Sequence, residues 1–312
     1  VASTRAGLLY GAAAYAWWGL VPGYFKLVAH VPATVVLGHR IVWSVVLLAA
    51  ILGVRRRWGE VGAIVRRRSL WPWLGVSTVL IAGNWLVFIY AVATDRLLDA
   101  SLGYFINPLV MILLGMVFLR ERMRPAQWAA TGIAACGVGC LSLSHGGLPW
   151  IAMVLPVSFG LYGLVRKRAP VGPVSGLFVE TALLSPASAL YLAWFHFSGQ
   201  TEAAASNTAA TLGLLPLAGV VTTAPLLWFV AAAQRLRLVT LGFLQYLSPT
   251  LQFLTAVLVF GEPFGRERAV TFGLIWVALA VFAADSIRRG AREAEAGGSR
   301  APEPAAGAGR GG

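Results

Sequence analysis

The chain has 312 residues, 58% of them hydrophobic, a mean hydropathy of +0.74 and only 12% charged residues, about half the roughly 25% of an average soluble protein. A water-soluble globule of this size has no room for so much apolar side chain, which makes a bilayer the expected solvent. The net charge is nevertheless +13, from 25 Lys and Arg against 12 Asp and Glu, a balance that either a nucleic-acid surface or a membrane-topology signal would produce.

At the N-terminus only Arg5 precedes an apolar stretch that continues well past the Ala-rich segment at 12–16, so it reads as a first span and not as a secretory signal peptide. Ten runs long enough to cross a hydrocarbon core of about 30 Å are predicted, at 7–29, 33–54, 71–93, 100–119, 127–144, 148–165, 174–197, 209–233, 239–260 and 269–287. His145 to Gly147 alone separate the fifth from the sixth. Pro22, Pro108, Pro225 and Pro249 fall inside spans, where neighbouring helices can satisfy the backbone groups that proline frees. Cys136 and Cys140 lie four apart in one apolar run and read as small residues on a packed helix, with no disulfide framework. From Arg288 onward Ala, Gly, Pro, Arg and Glu follow without periodicity, which predicts a disordered cytoplasmic tail over 288–312.

Ten spans place both termini on one side, and the segments on that side hold 20 of the 25 basic residues, among them Arg55 to Arg57, Arg66 to Arg68 and Arg166 to Arg168. The opposite side has Lys26, Arg96, Arg266 and Arg268, and Arg40 lies inside a span. This bias predicts cytoplasmic termini by the positive-inside rule. The basic turns are short and alternate with apolar runs, so a nucleic-acid partner is not expected.

Shifting the chain by 141 positions superposes its halves without a gap: Gly19 on Gly160, Lys26 on Lys167, Ser44 on Ser185, Phe88 on Phe229, Arg96 on Arg237, Pro108 on Pro249, Glu121 on Glu262 and Gly132 on Gly273. Lysine occurs only at 26 and 167, so this match does not come from the apolar bias. The expected fold is therefore an all-α integral membrane protein of ten transmembrane helices, arranged as two five-helix repeats over 1–146 and 147–287. Five is odd, so the second repeat enters the membrane from the other face, which is an architecture of secondary transporters with a substrate site near the midplane.

The segments Trp18-Gly-Leu-Val-Pro-Gly-Tyr-Phe-Lys26, His39-Arg-Ile-Val-Trp-Ser44, Gly83-Asn-Trp-Leu86, Ser101-Leu-Gly-Tyr-Phe-Ile-Asn-Pro108, Tyr162-Gly-Leu-Val-Arg-Lys167 and Leu241-Gly-Phe-Leu-Gln-Tyr246 resemble those of RarD-type permeases, in the EamA family of the drug/metabolite transporter superfamily. The resemblance runs from about Gly7 to Ile287. It implies a ten-helix permease of the bacterial cytoplasmic membrane built of two EamA repeats. The family is associated by name with chloramphenicol sensitivity, and it supplies no substrate and no agreed site residues.

Ionisable and polar side chains within spans are costly and point to a pathway. The first repeat contributes His39, Arg40, Asn84, Tyr104 and Asn107, and the 141-residue shift carries these to Glu180, Thr181, Pro225, Gln245 and Ser248. The two polar sets are expected to form opposite walls of one pathway, with Tyr246, Trp17 and Trp18 as candidate aromatic lining. His39 and Arg40 are adjacent and point about 100° apart on a helix. Arg40 suits an anionic or carboxylate-bearing substrate; the alternatives are that it snorkels to headgroups or pairs with a carboxylate such as Asp99. His39 and Glu180 are candidate carriers of a coupled proton. Lys26 reads as an interfacial residue, and Glu121 and Glu262 as loop-end structure.

The Gly-Lys-Ser/Thr of a phosphate-binding loop, the His-Glu-x-x-His zinc motif and the Gly-x-Ser-x-Gly elbow do not occur. The reading is a secondary transporter of small organic solutes, exporting metabolites or drugs with proton exchange as a candidate coupling. Its partners are the lipid bilayer and a small-molecule substrate, and no cofactor is implied. A non-transporting scaffold or sensor that uses its basic cytoplasmic loops is the alternative, and an intramembrane enzyme a third class.

Overall fold

A computed structural model describes residues 2–94, 96–144, 149–198, 209–258 and 266–298. Among these residues the chain is helical, without strands: α1 (Ala2–Leu27), α2 (Ala33–Val54), α3 (Trp58–Arg66), a 3₁₀ turn (Arg68–Leu70), α4 (Trp71–Ala93), α5 (Leu97–Leu119), α6 (Pro125–Ser144), α7 (Trp150–Arg168), α8 (Pro173–Phe197), α9 (Ala209–Arg235), α10 (Leu238–Gln245), α11 (Leu247–Leu258) and α12 (Arg266–Gly298). Helices are what hydrocarbon permits, because each satisfies its own backbone groups where no water can. The outer surface agrees: Leu9, Val54, Val79, Leu143, Leu190 and Phe197 are each at least 71% exposed, an apolar exterior that water would not tolerate.

Seven of the helices are both long and apolar enough to cross a membrane, namely α2, α4, α5, α6, α8, α9 and α12. The other three expected spans fall on α1, α7 and the α10–α11 pair. Trp, Tyr, Gly and Pro dilute the hydropathy of α1 and α7, although their 26 and 19 residues reach about 39 and 28 Å at about 1.5 Å per residue. The ninth expected span, 239–260, is broken at Tyr246 into two short helices, and its residues 259–260 lie outside the described set. Pro249 has no N–H for the carbonyl of Gln245 and its ring crowds that carbonyl. Its counterpart Pro108 sits inside an unbroken α5.

Two further differences from the sequence reading concern segments taken as irregular. The basic stretch after α2 contains the amphipathic helix α3, which buries Ile64 against Leu70, Leu74, Val171 and Val179 and sets Trp58 edge-on to Phe178 at 5.3 Å. The stretch from Arg288, expected to be disordered, continues α12 as far as Gly298. Once a helix is nucleated, the good helix formers of Ala-Arg-Glu-Ala-Glu-Ala at 291–296 propagate it cheaply. Residues 299–312 and the gap at His145 to Gly147 lie outside the described residues.

The packing does not separate the chain into two self-contained halves. α1 packs on α9 and α11, and α7 packs on α4 and α5; α2 meets α8 and α9, α4 meets α8, and α6 meets α12. Exchanging each helix for its counterpart 141 positions away turns the contacts of α1 into those of α7. The correspondence extends to single residues. A methyl on Gly19 would come within 2.6 Å of Leu251, and one on Gly160 within 3.1 Å of Val110, which is the same pair shifted by 141. Such glycines let helices approach where no hydrophobic force drives association.

All the arginine-rich turns meet at one end of the bundle. Arg168 donates to the Phe118 carbonyl and Arg237 to that of Arg122, Gln234 donates to the Val171 carbonyl at 2.9 Å, and Arg124 pairs with Asp285 at 2.6 Å. At the other end His30 meets Thr211 at 2.9 Å, Tyr24 donates to the Leu214 carbonyl at 3.0 Å, and the Arg96 guanidinium lies 5.7 Å from the Trp150 ring centre.

At Gly219 α9 meets the backbone of α2, and an added Cβ would lie 2.6 Å from the Trp43 carbonyl carbon. Gly219→Ala must push α9 off the backbone of α2 and is expected to cost about 1–3 kcal/mol. Thermal unfolding in detergent should show the loss, and Gly213→Ala, with nothing within 4 Å of its added methyl, should leave the midpoint unchanged.

Candidate substrate cavity

A cavity of about 340 Å³ is lined by helices from both halves of the chain. Its walls come from the second half of α1, the first halves of α2 and α5, the second half of α4, the start of α7, the middle of α9 and the α10–α11 break. It therefore occupies the middle of the bundle and the half away from the arginine-rich turns. The α10–α11 break contributes directly, with Gln245 on one side of it and Ser248 on the other.

Arg40 is the cation in this wall. Its Nε donates to Thr222 Oγ1 at 2.8 Å, and its guanidinium carbon lies 5.2 Å from the Trp85 ring centre and 5.6 Å from that of Phe25. Asp99, a carboxylate considered as its partner, is instead held by Arg96 at 2.8 Å. Across the cavity, Asn84 donates to the Leu155 carbonyl and to Ser158 Oγ, both at 2.9 Å, which ties α4 to α7. Gln252 donates to the Trp18 carbonyl at 3.2 Å and ties α11 to α1. The amide oxygens of Asn107 and Gln245 and the hydroxyl of Tyr15, all from lining residues, are buried without a hydrogen-bond partner among the described residues.

Of the ten residues singled out from the sequence, Arg40, Asn84, Tyr104, Asn107, Gln245 and Ser248 line this cavity, and four do not. His39, one position from Arg40, turns aside and accepts a hydrogen bond from Trp43 Nε1 at 3.3 Å. Thr181 donates to the Leu177 carbonyl of its own helix at 2.8 Å. Tyr246 is fully buried in the packing of α5, α6, α10 and α12. Trp17 donates to the Val221 carbonyl at 3.2 Å, whereas Trp18 faces the cavity.

Glu180 departs furthest from expectation. It is fully buried beside Arg166 at 3.4 Å and accepts from Ser77 and from the Tyr162 hydroxyl, the latter at 3.3 Å. Arg166, counted with the topology charges of a loop, is also fully buried, with Nη2 donating to the Gly172 carbonyl at 3.4 Å. Gly176 makes room for it, since a methyl there would come within 2.9 Å of the guanidinium carbon. The set joins α4, α7 and α8 near the arginine-rich end. Thr222 and Gln252 carried no sequence signal of their own, Trp85 entered only within a quoted segment, and Arg166 entered only within a quoted segment and as a topology charge.

The comparisons with known proteins bear on this arrangement. A model of the EamA-like transporter family matches residues 5–143, the first repeat. The chain is 50% identical to Protein RarD of Salmonella typhi, over 91% of this chain and 96% of that protein. It is 32% identical to the chloramphenicol-sensitive protein RarD of Pseudomonas aeruginosa, over 93% and 98%. The chain belongs to the EamA family, in its RarD-type branch. A crystal structure 20% identical superposes with a TM-score of 0.70, covering 91% of this chain and 98% of its own, so the fold is one already seen in a crystal. Family membership makes the chain a multi-pass transporter of the bacterial inner membrane.

The buried Arg166–Glu180 pair yields a stability prediction. Glu180→Gln leaves Arg166 buried without a counter-charge, which is expected to cost about 3–5 kcal/mol. The double variant Arg166→Met, Glu180→Leu removes both charges and should recover most of that loss. Unfolding midpoints in detergent compare the two, and a double variant no more stable than Glu180→Gln alone counts against charge pairing as the cause.

Proposed function

We propose that this permease is a secondary transporter of a small organic solute, working by alternating access between two inverted five-helix repeats, with both termini cytoplasmic. The observation that carries this reading is the cavity, lined by both repeats and confined to the half of the bundle away from the arginine-rich turns. The positive-inside rule assigns those turns to the cytoplasm, so the cavity faces outward in this state. Inverted halves of similar structure support a second state of comparable energy that faces inward. The reciprocal packing of α1 and α7 also supports this, since a state in which their roles are exchanged uses contacts the fold already makes.

The cytoplasmic end is closed by charges seated on helix termini. Glu121 accepts from the backbone N–H groups of Leu238 at 2.9 Å and Val239 at 3.0 Å, which start α10. Lys167 donates to the carbonyls of Ala233, at 2.9 Å, and Leu236 at the end of α9. Each charge complements the dipole of the helix end it caps. These bonds span different helices, so an inward-facing state requires that they break. Their counterparts under the 141-residue shift are Glu262 and Lys26; Glu262 and the Lys26 side chain lie outside the described residues.

Proton exchange through Glu180 receives no support from this geometry. A proton on Glu180 strands Arg166 as a buried cation, so the pair acts as a tie in this state. The non-transporting scaffold or sensor is the weaker reading, because the family is one of transporters.

Substrate-dependent flux in proteoliposomes tests transport, and labelling tests the facing. In a Cys136→Ser, Cys140→Ser background, Ser101→Cys in the cavity wall should react with an impermeant maleimide added outside intact cells. Glu121→Gln should loosen the cytoplasmic closure and lower that labelling, by up to about two- to fivefold, the change in the outward-to-inward ratio that a lost charge-assisted cap of about 0.5–1 kcal/mol produces. Labelling only from the cytoplasmic side overturns the outward-facing assignment.

A further inference from the structure

We propose that the cavity selects an organic anion: a carboxylate on a flat, aromatic body, with no compensating ammonium group. This rests on the transport reading for its consequence but on the cavity alone for its chemistry.

Five acidic side chains have described surroundings, and each is committed to another cation: Glu60 to Arg57, Asp99 to Arg96, Asp285 to Arg124, Glu180 to Arg166 and Glu121 to Arg237. Arg40 forms no ion pair with any of them. A guanidinium kept inside the apolar part of a bundle without a counter-charge is a costly arrangement. The cost is met when a ligand brings the missing charge.

The geometry then narrows the anion. Thr222 takes the Nε hydrogen of Arg40, and Trp85 and Phe25 flank the guanidinium. Nη1 and Nη2 make no hydrogen bond to a described residue. Two parallel N–H groups on one edge of a planar fork match the two oxygens of a carboxylate. Holding Nε and stacking on rings fixes the fork before the ligand arrives, which reduces the ordering cost of binding.

The remaining lining decides the body. Trp18, Phe159, Phe88 and Tyr104 face the cavity together with Tyr15, and Trp18 lies edge-on to Phe159 at 5.6 Å. These surfaces favour a flat apolar group and stacking. Among the described residues no carboxylate lines the cavity. An ammonium would find hydroxyls, amide oxygens and ring faces there but no described anionic partner, and it would sit in the same wall as the Arg40 charge. The cavity therefore favours a net anion over a zwitterion of the same shape, and over an amine most of all.

A matched series tests this in the purified protein: 3-phenylpropionate, 3-phenylpropanamide, phenylalanine and phenylethylamine share the ring and differ in charge. Isothermal titration should show 3-phenylpropionate binding at least about tenfold more tightly than the other three, the range expected for hydrogen bonds to a charged group. Arg40→Gln should remove that preference and leave the amide unchanged, and Arg40→Lys should restore part of it. Trp85→Leu, which removes a ring that holds the fork, should weaken 3-phenylpropionate more than the amide. Equal affinities, preference for phenylalanine or the amine, or no binding of any member overturns the proposal, and the wild-type series decides even if an Arg40 variant fails to fold. Counterflow separates the two readings: anion-selective binding without flux rejects transport and leaves the selectivity standing. Flux of the amide or amine without anion preference rejects the selectivity and leaves transport standing.

Discussion

A charge placed among apolar helices must find a partner, and most of this bundle can be understood from how that demand is met. At the arginine-rich end it is met by other side chains and by helix termini. Arg166 has Glu180, Arg124 has Asp285, Lys167 sits on the last carbonyls of α9 and Glu121 on the first N–H groups of α10. Apart from Arg166 and Glu180, which sit on consecutive helices, these bonds join segments remote in sequence, so the charges also knit the end shut. In the other half Arg40 has a hydroxyl and two aromatic rings but, among the described residues, no carboxylate. That contrast between paired charges at one end and Arg40 in the cavity wall marks where a ligand belongs.

The second organising element is close approach. Gly19 against Leu251, Gly160 against Val110 and Gly219 against the Trp43 backbone bring helices together without a hydrophobic drive. Because the first two contacts are the same contact shifted along the chain, α1 and α7 are held in equivalent ways by opposite halves. Neither repeat closes on its own partners. The cavity is then a consequence of the exchange: α1 leaves its own repeat to lie on α9 and α11, α7 leaves to lie on α4 and α5, and the space between them is lined by both.

The sequence carried the architecture in three signals: apolar run length, the alternation of basic turns, and the 141-residue shift. It also carried the family, through ordered motifs. Its polar candidates were less well sorted. Arg40, Asn84, Tyr104, Asn107, Gln245 and Ser248 share a cavity, with the first four on α2, α4 and α5 and the last two on either side of the break at Tyr246. Glu180 was grouped with Gln245 because the shift relates them to His39 and Tyr104, but near-symmetry of the backbone does not make side chains equivalent. His39 finds Trp43 on its own helix, whereas Glu180 finds Ser77, Tyr162 and Arg166 on neighbouring ones.

By itself, then, the sequence determined the solvent, the helical class, the doubled pattern and the end at which the positive charges gather. These depend on periodicity and composition along the chain, which are local properties. Only the tertiary structure decided that Arg166 is a buried partner and not a topology charge, that Pro249 breaks a helix where Pro108 does not, and that Arg40 is left facing a cavity. Each of those depends on how a helix is rotated about its axis against its neighbours, some of them, like Thr222 beside Arg40, more than a hundred residues away. Hydropathy is almost uniform around these helices, so no apolar face specifies that rotation, and it is the meeting of glycines, helix ends and charges that selects it.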